Sequence, residues 1–100
     1  LSDRLRSLIA AEPDHDWRAA EACKALAVSE ATLRRHLAAE GTSFSALLAD
    51  VRMGVALALL QSSDLAVNRI ALDVGYACAS RFALRFRKRF GLPPSAIRIA

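Results

Sequence analysis

The stretch that decides the fold is residues 70–90, IALDVGYACASRFALRFRKRF, which contains two helical patterns on either side of a glycine. Before Gly75, the apolar residues are spaced as in a short amphipathic helix. After it, phenylalanines recur every four residues from Phe82 to Phe90, so they form one apolar face of a second helix. The stretch therefore predicts two helices joined by a tight turn, over about residues 66–74 and 79–90.

The same plan occurs earlier in the chain. A helix over about residues 17–26 is followed by a short gap and by a helix over about residues 30–39, which Ser29 is suited to cap. Leu33 and Leu37 face inward in this helix, as the phenylalanines do in the later one. With one extra residue in the second turn, the matching pairs are Cys23 with Ala71, Val28 with Tyr76, and Ser29 with Cys78. Both segments have the spacing of a helix-turn-helix, in which a small residue lets the second helix pack closely.

A long apolar segment joins the two pairs of helices. It is expected to form a helix over about residues 44–61, which would span on the order of 25 Å. One stripe of this helix is predicted to carry Leu48, Val51, Val55 and Leu59. The chain is then expected to divide into an N-terminal unit (residues 1–43), a connector helix (44–61) and a C-terminal unit (62–100).

Composition and charge favour a folded helical protein with a polyanionic partner. Hydrophobic residues make up 54% and charged residues 24% of the chain, and only four Gly and three Pro interrupt it. The net charge of +4 is uneven, because residues 1–43 carry six Lys/Arg and seven Asp/Glu, whereas residues 44–100 carry eight and three. A basic half is typical of proteins that bind nucleic acid or an anionic membrane surface.

The sequence indicates no metal site, cofactor or catalytic centre. Cys23 and Cys78 form no C-x-x-C pair, and together with His15 and His36 they lack the spacing of metal ligands. Ser, His and Asp occur without a nucleophile elbow, so we expect no enzymatic activity. The apolar run over residues 55–60 is far shorter than the ~20 residues that span a bilayer. Without a signal peptide or an initiator Met, the chain is expected to be a fragment of a longer cytoplasmic protein with reduced thiols.

A series of motifs runs in order from Trp17 to Arg98. It comprises Trp17, Val28-Ser29-x-x-Thr32-Leu33-Arg34-Arg35, Gly41-Thr42-Ser43-Phe44, Arg52-Met53-x-x-Ala56 with Leu59-Leu60, Ile70-Ala71-x-x-Val74-Gly75-Tyr76, Ser80-x-Phe82-x-x-x-Phe86-Arg87-Lys88, and Gly91-x-x-Pro94-Ser95-x-x-Arg98. This series resembles the DNA-binding domain of the AraC/XylS family of bacterial transcription regulators.

The resemblance implies an all-α, homeodomain-like domain of seven helices. Two helix-turn-helix subdomains would be joined by the long connector helix, with both recognition helices on one face. The implied function is sequence-specific binding of double-stranded promoter DNA, with the two recognition helices in adjacent segments of the major groove.

The resemblance also places the base-reading positions on the exposed sides of the recognition helices. They are Ala31, Arg34 and Arg35 in the first helix, and Ala79, Ser80, Arg81 and Leu84 in the second. Arginines can bond guanine edges with two donors. Family members often have an arginine at the position of Leu84, and here the arginine comes one residue later, at Arg85. A serine is usual where Cys78 stands, so the second helix is expected to be poorly capped. Because Ala79 and Leu84 are apolar, the second unit is expected to read sequence weakly and to act mainly through phosphates.

Phosphate contacts are predicted at two places. The second recognition helix carries a basic stripe, and part of it matches a basic pair in the family. The start of the connector helix carries hydroxyl groups where a helix N-terminus attracts anions, although helix capping explains these residues equally well. The predicted phosphate-binding residues are Thr42, Ser43, Ser45, Arg85, Arg87, Lys88 and Arg89. Arg52 and Arg98 are expected to be structural and to pair with carboxylates or chain carbonyls.

The resemblance implies further partners beyond DNA. An effector-binding or dimerisation domain would lie N-terminal to Leu1, and the protein would contact RNA polymerase where it activates transcription. Two alternatives stay open. The chain could be a helical protein-interaction module whose basic face binds an acidic partner. It could also be the DNA-binding arm of a DNA-repair enzyme, whose reactive cysteine would lie in a separate segment.

Overall fold

A computed structural model describes residues 1–98 of the chain, and within them it forms seven α-helices and no β-strand. The helices are α1 (Ser2–Ala11), α2 (Ala19–Leu26), α3 (Glu30–Ala39), α4 (Phe44–Ser62), α5 (Val67–Asp73), α6 (Ala79–Phe90) and α7 (Pro94–Ile97). The molecule is elongated, measuring 43 × 22 × 21 Å. The predicted all-α fold is confirmed.

Local capping explains where α3 and α4 begin and where α6 ends. The hydroxyl of Ser29 accepts a hydrogen bond of 3.1 Å from the backbone N–H of Thr32, so it caps α3 as predicted. Ser43 caps α4 in the same way, through the N–H of Ala46 at 3.2 Å. Gly91 ends α6 in the left-handed conformation, with φ of 80°.

The start of α2 differs from the prediction. The helix begins at Ala19 rather than near Trp17, and the carboxylate of Asp16 accepts a hydrogen bond from the side chain of Arg18. The indole N–H of Trp17 donates to the carbonyl oxygen of Glu12 at 2.8 Å, which folds this segment back towards α1. Because the tryptophan is held in this turn, the first helical residue lies two positions further on.

Two groups of buried apolar side chains lie along the molecule, and α4 contributes to both. The first is formed by α1, α2, α3 and the first half of α4, and the second by the second half of α4 with α5 and α6. The first core contains Leu5, Ile9, Ala22, Cys23, Leu26, Leu33, Leu37, Leu47 and Val51. The second contains Met53, Ala56, Leu60, Ile70, Ala71, Val74, Phe82 and Phe86.

The predicted apolar stripe of α4 is therefore only partly correct. Val51 is buried, but Leu48, Val55 and Leu59 are half-buried, because the helix turns one face to the first core and another to the second. Val55 packs against both cores.

By length and composition the 19-residue helix α4 qualifies as a possible membrane span, with a mean hydropathy of 1.5 over an 18-residue window. The expectation from the sequence considered only the apolar run over residues 55–60, which is much shorter than this helix. Two charged residues of α4, Asp50 and Arg52, hold ion pairs or hydrogen bonds to other parts of the chain.

The turns of the two helix-turn-helix units share one hydrogen bond. The backbone N–H of Val28 donates to the carbonyl of Cys23 at 3.1 Å, and the N–H of Tyr76 donates to that of Ala71 at 2.8 Å. These are the residue pairs that the sequence comparison of the two halves matched. The repeat seen in the sequence is thus a repeat of turn geometry, with the same bond closing α2 onto α3 and α5 onto α6.

Arg52 connects parts of both units. Its Nε donates to the carbonyl of Pro13 at 2.8 Å and its Nη2 to that of His15 at 2.7 Å. Its guanidinium also lies against Gly75, where an added Cβ would come within 2.8 Å of Cζ. The φ of Gly75 is +96°, a conformation that glycine adopts without strain. The structural role predicted for Arg52 is confirmed, as it is for Arg98, which also donates to chain carbonyls.

Replacing Arg52 with alanine is expected to lower the free energy of unfolding by about 1.5–3 kcal/mol, because hydrogen bonds from a charged group are lost. Urea unfolding followed by circular dichroism measures the change. The matched control is Arg69→Ala, which removes an exposed i,i+4 pair with Asp73 and should cost no more than about 0.5 kcal/mol. Equal losses in the two variants would contradict the role of Arg52.

Candidate nucleic-acid interface

The two recognition-helix candidates, α3 and α6, each bury one face and expose the opposite one. Successive residues of an α-helix are rotated by about 100°, so a residue two positions from each of two buried neighbours points away from the core. Arg35 holds this position between the buried Leu33 and Leu37, and Leu84 holds it between the two buried phenylalanines of α6. We call Arg35 and Leu84 the crest residues of α3 and α6.

The exposed side of α3 meets the start of α4 in a cleft. Arg34 lines this first cleft together with Thr42, Ser43 and Ser45, so four predicted DNA-contacting residues are brought together. The oxygen of Ser43 is used as a helix cap, which leaves its hydroxyl proton free to donate to an anion. Arg35 is exposed and does not line this cleft, and its Nη2 donates to Oγ1 of Thr32 at 3.4 Å.

The other base-reading positions are also on the surface. Ala31, in the first turn of α3, is exposed, and so are all four positions predicted on α6. The α6 positions are Ala79, Ser80, Arg81 and Leu84.

The start of α6 carries no side-chain cap. Cys78 stands at the N-cap, and its Sγ lies 2.9 Å from Oγ of Ser80. This hydrogen bond is the main cause that lowers the pKa of the Cys78 thiol. The poor capping expected of a cysteine at this position is confirmed. Cys23, by contrast, is buried, and burial raises the pKa of its thiol, so it is an unreactive core residue.

The basic stripe of α6 faces α4 across a second cleft, which is lined by Ala49 and Met53 of α4 and by Arg85, Lys88 and Arg89 of α6. Within residues 1–98, Arg85 and Lys88 make no ion pair or side-chain hydrogen bond. The same is true of Arg87. These three predicted phosphate ligands therefore keep their full charge available.

Arg89 is different, because its Nε donates to a carboxylate oxygen of Asp50 at 2.8 Å. The other oxygen of Asp50 accepts from Nη1 of Arg6 at 3.0 Å. One carboxylate on α4 thus joins α1 to α6. The hydrogen bonds from Arg89 and then Arg6 lower the pKa of Asp50. Arg89 shares its charge with this carboxylate, so it is a weaker candidate for phosphate contact than its neighbours.

Sequence reasoning missed Asp50 and Arg6. A signal was present, because Asp50 and Arg52 are the only charged residues in the 19-residue helix α4. Charges in so apolar a helix need partners. The partners of Asp50 are Arg6 and Arg89, which lie 44 and 39 positions away on helices whose relative placement the sequence does not show.

Both clefts open on the same side of α4. Ser45 lines the first cleft, and Ala49 and Met53 line the second. These three residues are spaced four apart, so they share one face of the helix. Arg34 from α3 and the unpaired Arg85 and Lys88 of α6 consequently border a single side of the molecule. Within residues 1–98, no group of three His, Cys, Asp or Glu side chains is arranged to hold a metal ion.

Comparison with known proteins gives consistent matches. A family model described as a helix-turn-helix domain matches residues 22–99. The chain is 37% identical over 97 residues to the HTH-type transcriptional regulator YdeO of Escherichia coli (strain K12), covering 97% of this chain and 38% of the relative. It is 40% identical over 92 residues to the urease operon transcriptional activator of Escherichia coli, covering 92% of this chain and 31% of the relative.

A solved structure is also similar along nearly the whole chain. The DNA-binding transcriptional dual regulator from Escherichia coli K-12 superposes with a TM-score of 0.91 at 31% identity, covering 97% of this chain and 87% of that one. The curated relatives are longer, since the chain spans only 38% and 31% of their lengths.

Replacing Asp50 with asparagine is expected to lower stability at neutral pH, by up to about 1 kcal/mol for each of its two exposed ion pairs. An Asp carboxylate whose pKa is lowered in the folded state stabilises that state fully at pH values above the ordinary Asp pKa near 4. This stabilisation is lost as the pH falls through the lowered pKa. The difference between wild type and Asp50→Asn should therefore be largest at pH 7 and shrink towards pH 2.

Urea unfolding across this pH range measures the difference. Asp64→Asn is the matched control, since Asp64 makes no ion pair among residues 1–98, and it should show no such trend. A difference for Asp50→Asn that does not change with pH would contradict the bridging role of the carboxylate.

Proposed function

The chain belongs to the AraC/XylS family of helix-turn-helix DNA-binding domains from bacterial transcription regulators, and from that membership we propose that α3 and α6 read two adjacent segments of the DNA major groove. The observation that carries the proposal is the shared side of α4, onto which both clefts open. The 19 residues of α4 span about 28 Å. With the flanking helix widths, this is compatible with the ~34 Å between successive major-groove segments on one face of a duplex.

The two helices are proposed to divide the work. On α3, Arg35 at the crest and Arg34 beside the first cleft read guanine edges, with Ala31 in contact with the same segment. On α6, the base-facing residues are Ala79, Ser80, Arg81 and Leu84. Phosphates are held by Thr42, Ser43 and Ser45 near α3, and by Arg85, Arg87, Lys88 and, more weakly, Arg89 on α6.

The chain is proposed to act as two subdomains on one connector. The N-terminal subdomain takes residues 1–43, the connector residues 44–61, and the C-terminal subdomain residues 62–100. Support comes from the two separate cores of residues 1–98, to both of which α4 contributes. Each core holds one helix-turn-helix rigidly, so the spacing of the two recognition helices depends on α4.

The activity of the whole protein is proposed from the longer relatives. We infer a cytoplasmic transcription factor in which an effector-binding or dimerisation domain precedes this chain. By analogy with the relative named as an activator of the urease operon, it would activate a promoter. As the family resemblance implies, it would do so by contacting RNA polymerase. The inducing ligand and the regulated gene would be properties of that longer protein.

A helical protein-interaction module is the second candidate, favoured by the unpaired cations Arg85, Arg87 and Lys88. Such a module would bind an acidic protein and would show no preference among DNA sequences. Replacement of Arg34 or Arg35 would then leave DNA affinity unchanged.

The direct test is selection of duplexes from a randomised 25-base-pair pool, followed by fluorescence anisotropy with the enriched duplex and a scrambled one across a salt series. Each phosphate contact is expected to add about −0.9 to the log–log slope of affinity against salt. Enrichment with tighter binding to the selected duplex would support the proposal. Failure to bind any duplex at low salt would contradict it.

Arg35→Lys is expected to keep the salt slope and to lose about 5- to 150-fold of the preference for the selected duplex, because lysine keeps the charge but cannot form the bidentate contact to guanine. Arg35→Ala should lose the preference and also flatten the slope by up to about 0.9 if the arginine touches a phosphate. Anisotropy titrations of both variants measure this. Unchanged preference in Arg35→Lys would rule out base reading by Arg35.

A further inference from the structure

The side chain of Leu84 is the most exposed of the large hydrophobic side chains in residues 1–98. It is 71% exposed, and it stands at the crest of α6, directly away from the buried Phe82 and Phe86. Single exposed leucines are common on protein surfaces and usually need no explanation. Leu84, however, lies on the part of α6 that would enter the major groove most deeply.

The neighbours of Leu84 are polar or cationic. Ser80 and Arg81 lie one turn before it, and Arg87 and Lys88 lie one turn after it, all of them exposed. Within residues 1–98 none of the three cations forms an ion pair. The crest of α6 is thus a single apolar side chain surrounded by cations. Such a surface is complementary to a polyanion that presents an apolar group between its charged groups.

The chemistry of the base edges selects that group. A leucine side chain has no donor or acceptor, so it can form no hydrogen bond to guanine, cytosine or adenine. The one apolar group in the major groove is the C5-methyl of thymine, which aliphatic side chains recognise. At the equivalent position of α3 stands Arg35, whose guanidinium matches the O6 and N7 acceptors of guanine.

We propose that Leu84 is a specificity-determining residue that reads thymine through its C5-methyl group. The two helices then recognise different base chemistry at their crests, guanine under α3 and thymine under α6. The inference rests on the proposed function, since it requires α6 to lie in the major groove. It assigns a defined base preference to one of the predicted base-reading positions of the second helix, which the sequence led us to expect to act mainly through phosphates.

The expected effect is small but measurable. Burial of one methyl group corresponds to about a fourfold change in affinity. The second half-site should therefore show a fourfold preference for thymine at one or two positions, weaker than the guanine preference under Arg35.

The test uses the duplex enriched from the randomised pool. Each thymine is replaced in turn by deoxyuridine, which removes only the C5-methyl, and affinities are measured for the wild-type chain and for Leu84→Ala. At one or two positions, replacement should weaken wild-type binding about fourfold. In Leu84→Ala the same replacement should change affinity less than about 1.5-fold, because the partner of the methyl group is gone.

A second variant, Leu84→Arg, keeps the helix basic and should shift the selected base at that position from thymine to guanine. Both variants are expected to fold normally, as circular dichroism will show, because the replaced side chain is exposed. Enrichment of a duplex without any deoxyuridine effect that depends on Leu84 would overturn this inference and leave the proposed function standing. Absence of any enriched duplex would overturn both.

Discussion

The structure depends on the burial of two different faces of α4 in two separate cores. Leu47 and Val51 pack with the first three helices, and Met53, Ala56 and Leu60 pack with the last three. Among the described residues, α4 is the helix that supplies buried side chains to both cores. The relative placement of the two helix-turn-helix units is therefore a property of one α-helix, which resists bending far better than a loop of equal length.

Two polar residues of α4 reinforce this placement. Arg52 holds the turn after α1 and lies against the turn of the second unit, and Asp50 bridges Arg6 of α1 and Arg89 of α6. Asp50 keeps 34% of its side chain exposed, so its ion pairs are modest in energy, and their effect is mainly geometric. Because Arg89 is paired with Asp50 in this bridge, the positive charge available on the surface of α6 comes from its other cations.

The uneven charge suits the two units to different roles in binding a polyanion. The second unit would provide most of the affinity, and the first unit most of the base selectivity. Residues 44–100 hold a surplus of five positive charges and residues 1–43 a deficit of one. The general attraction for a polyanion thus belongs mostly to the second unit. The first unit is nearly neutral overall, and two of its exposed arginines, Arg34 and Arg35, lie next to each other on α3, where hydrogen bonds to base edges would discriminate most.

Much of the fold could be predicted from the sequence, because local signals are strong where α3 and α6 lie. Ser29 and Gly91 fix helix ends, and leucine or phenylalanine at four-residue intervals fixes the buried faces. The start of α2 could not be predicted, since it depends on a bond from Trp17 to a carbonyl of another segment. The stripe of α4 was misjudged because one helix serves two cores, a long-range property that periodicity does not encode.

The candidate site could also be predicted in part from the sequence. The exposed faces of α3 and α6 follow from their buried faces, so the surface position of the crest residues Arg35 and Leu84 could be expected. The pairing of Arg89 with Asp50 could not, since these residues are 39 positions apart. The common side of the two clefts likewise required the placement of three helices around α4.

The most direct test of the account is the affinity of the chain for its selected duplex after insertion of five base pairs between the two bound segments. Half a helical turn moves the second segment to the opposite face of the duplex, where a rigid α4 cannot carry α6. The account predicts that affinity falls to that of a duplex with one segment scrambled. Unchanged affinity after the insertion would show that the two recognition helices are not held at a fixed separation, and it would contradict the account.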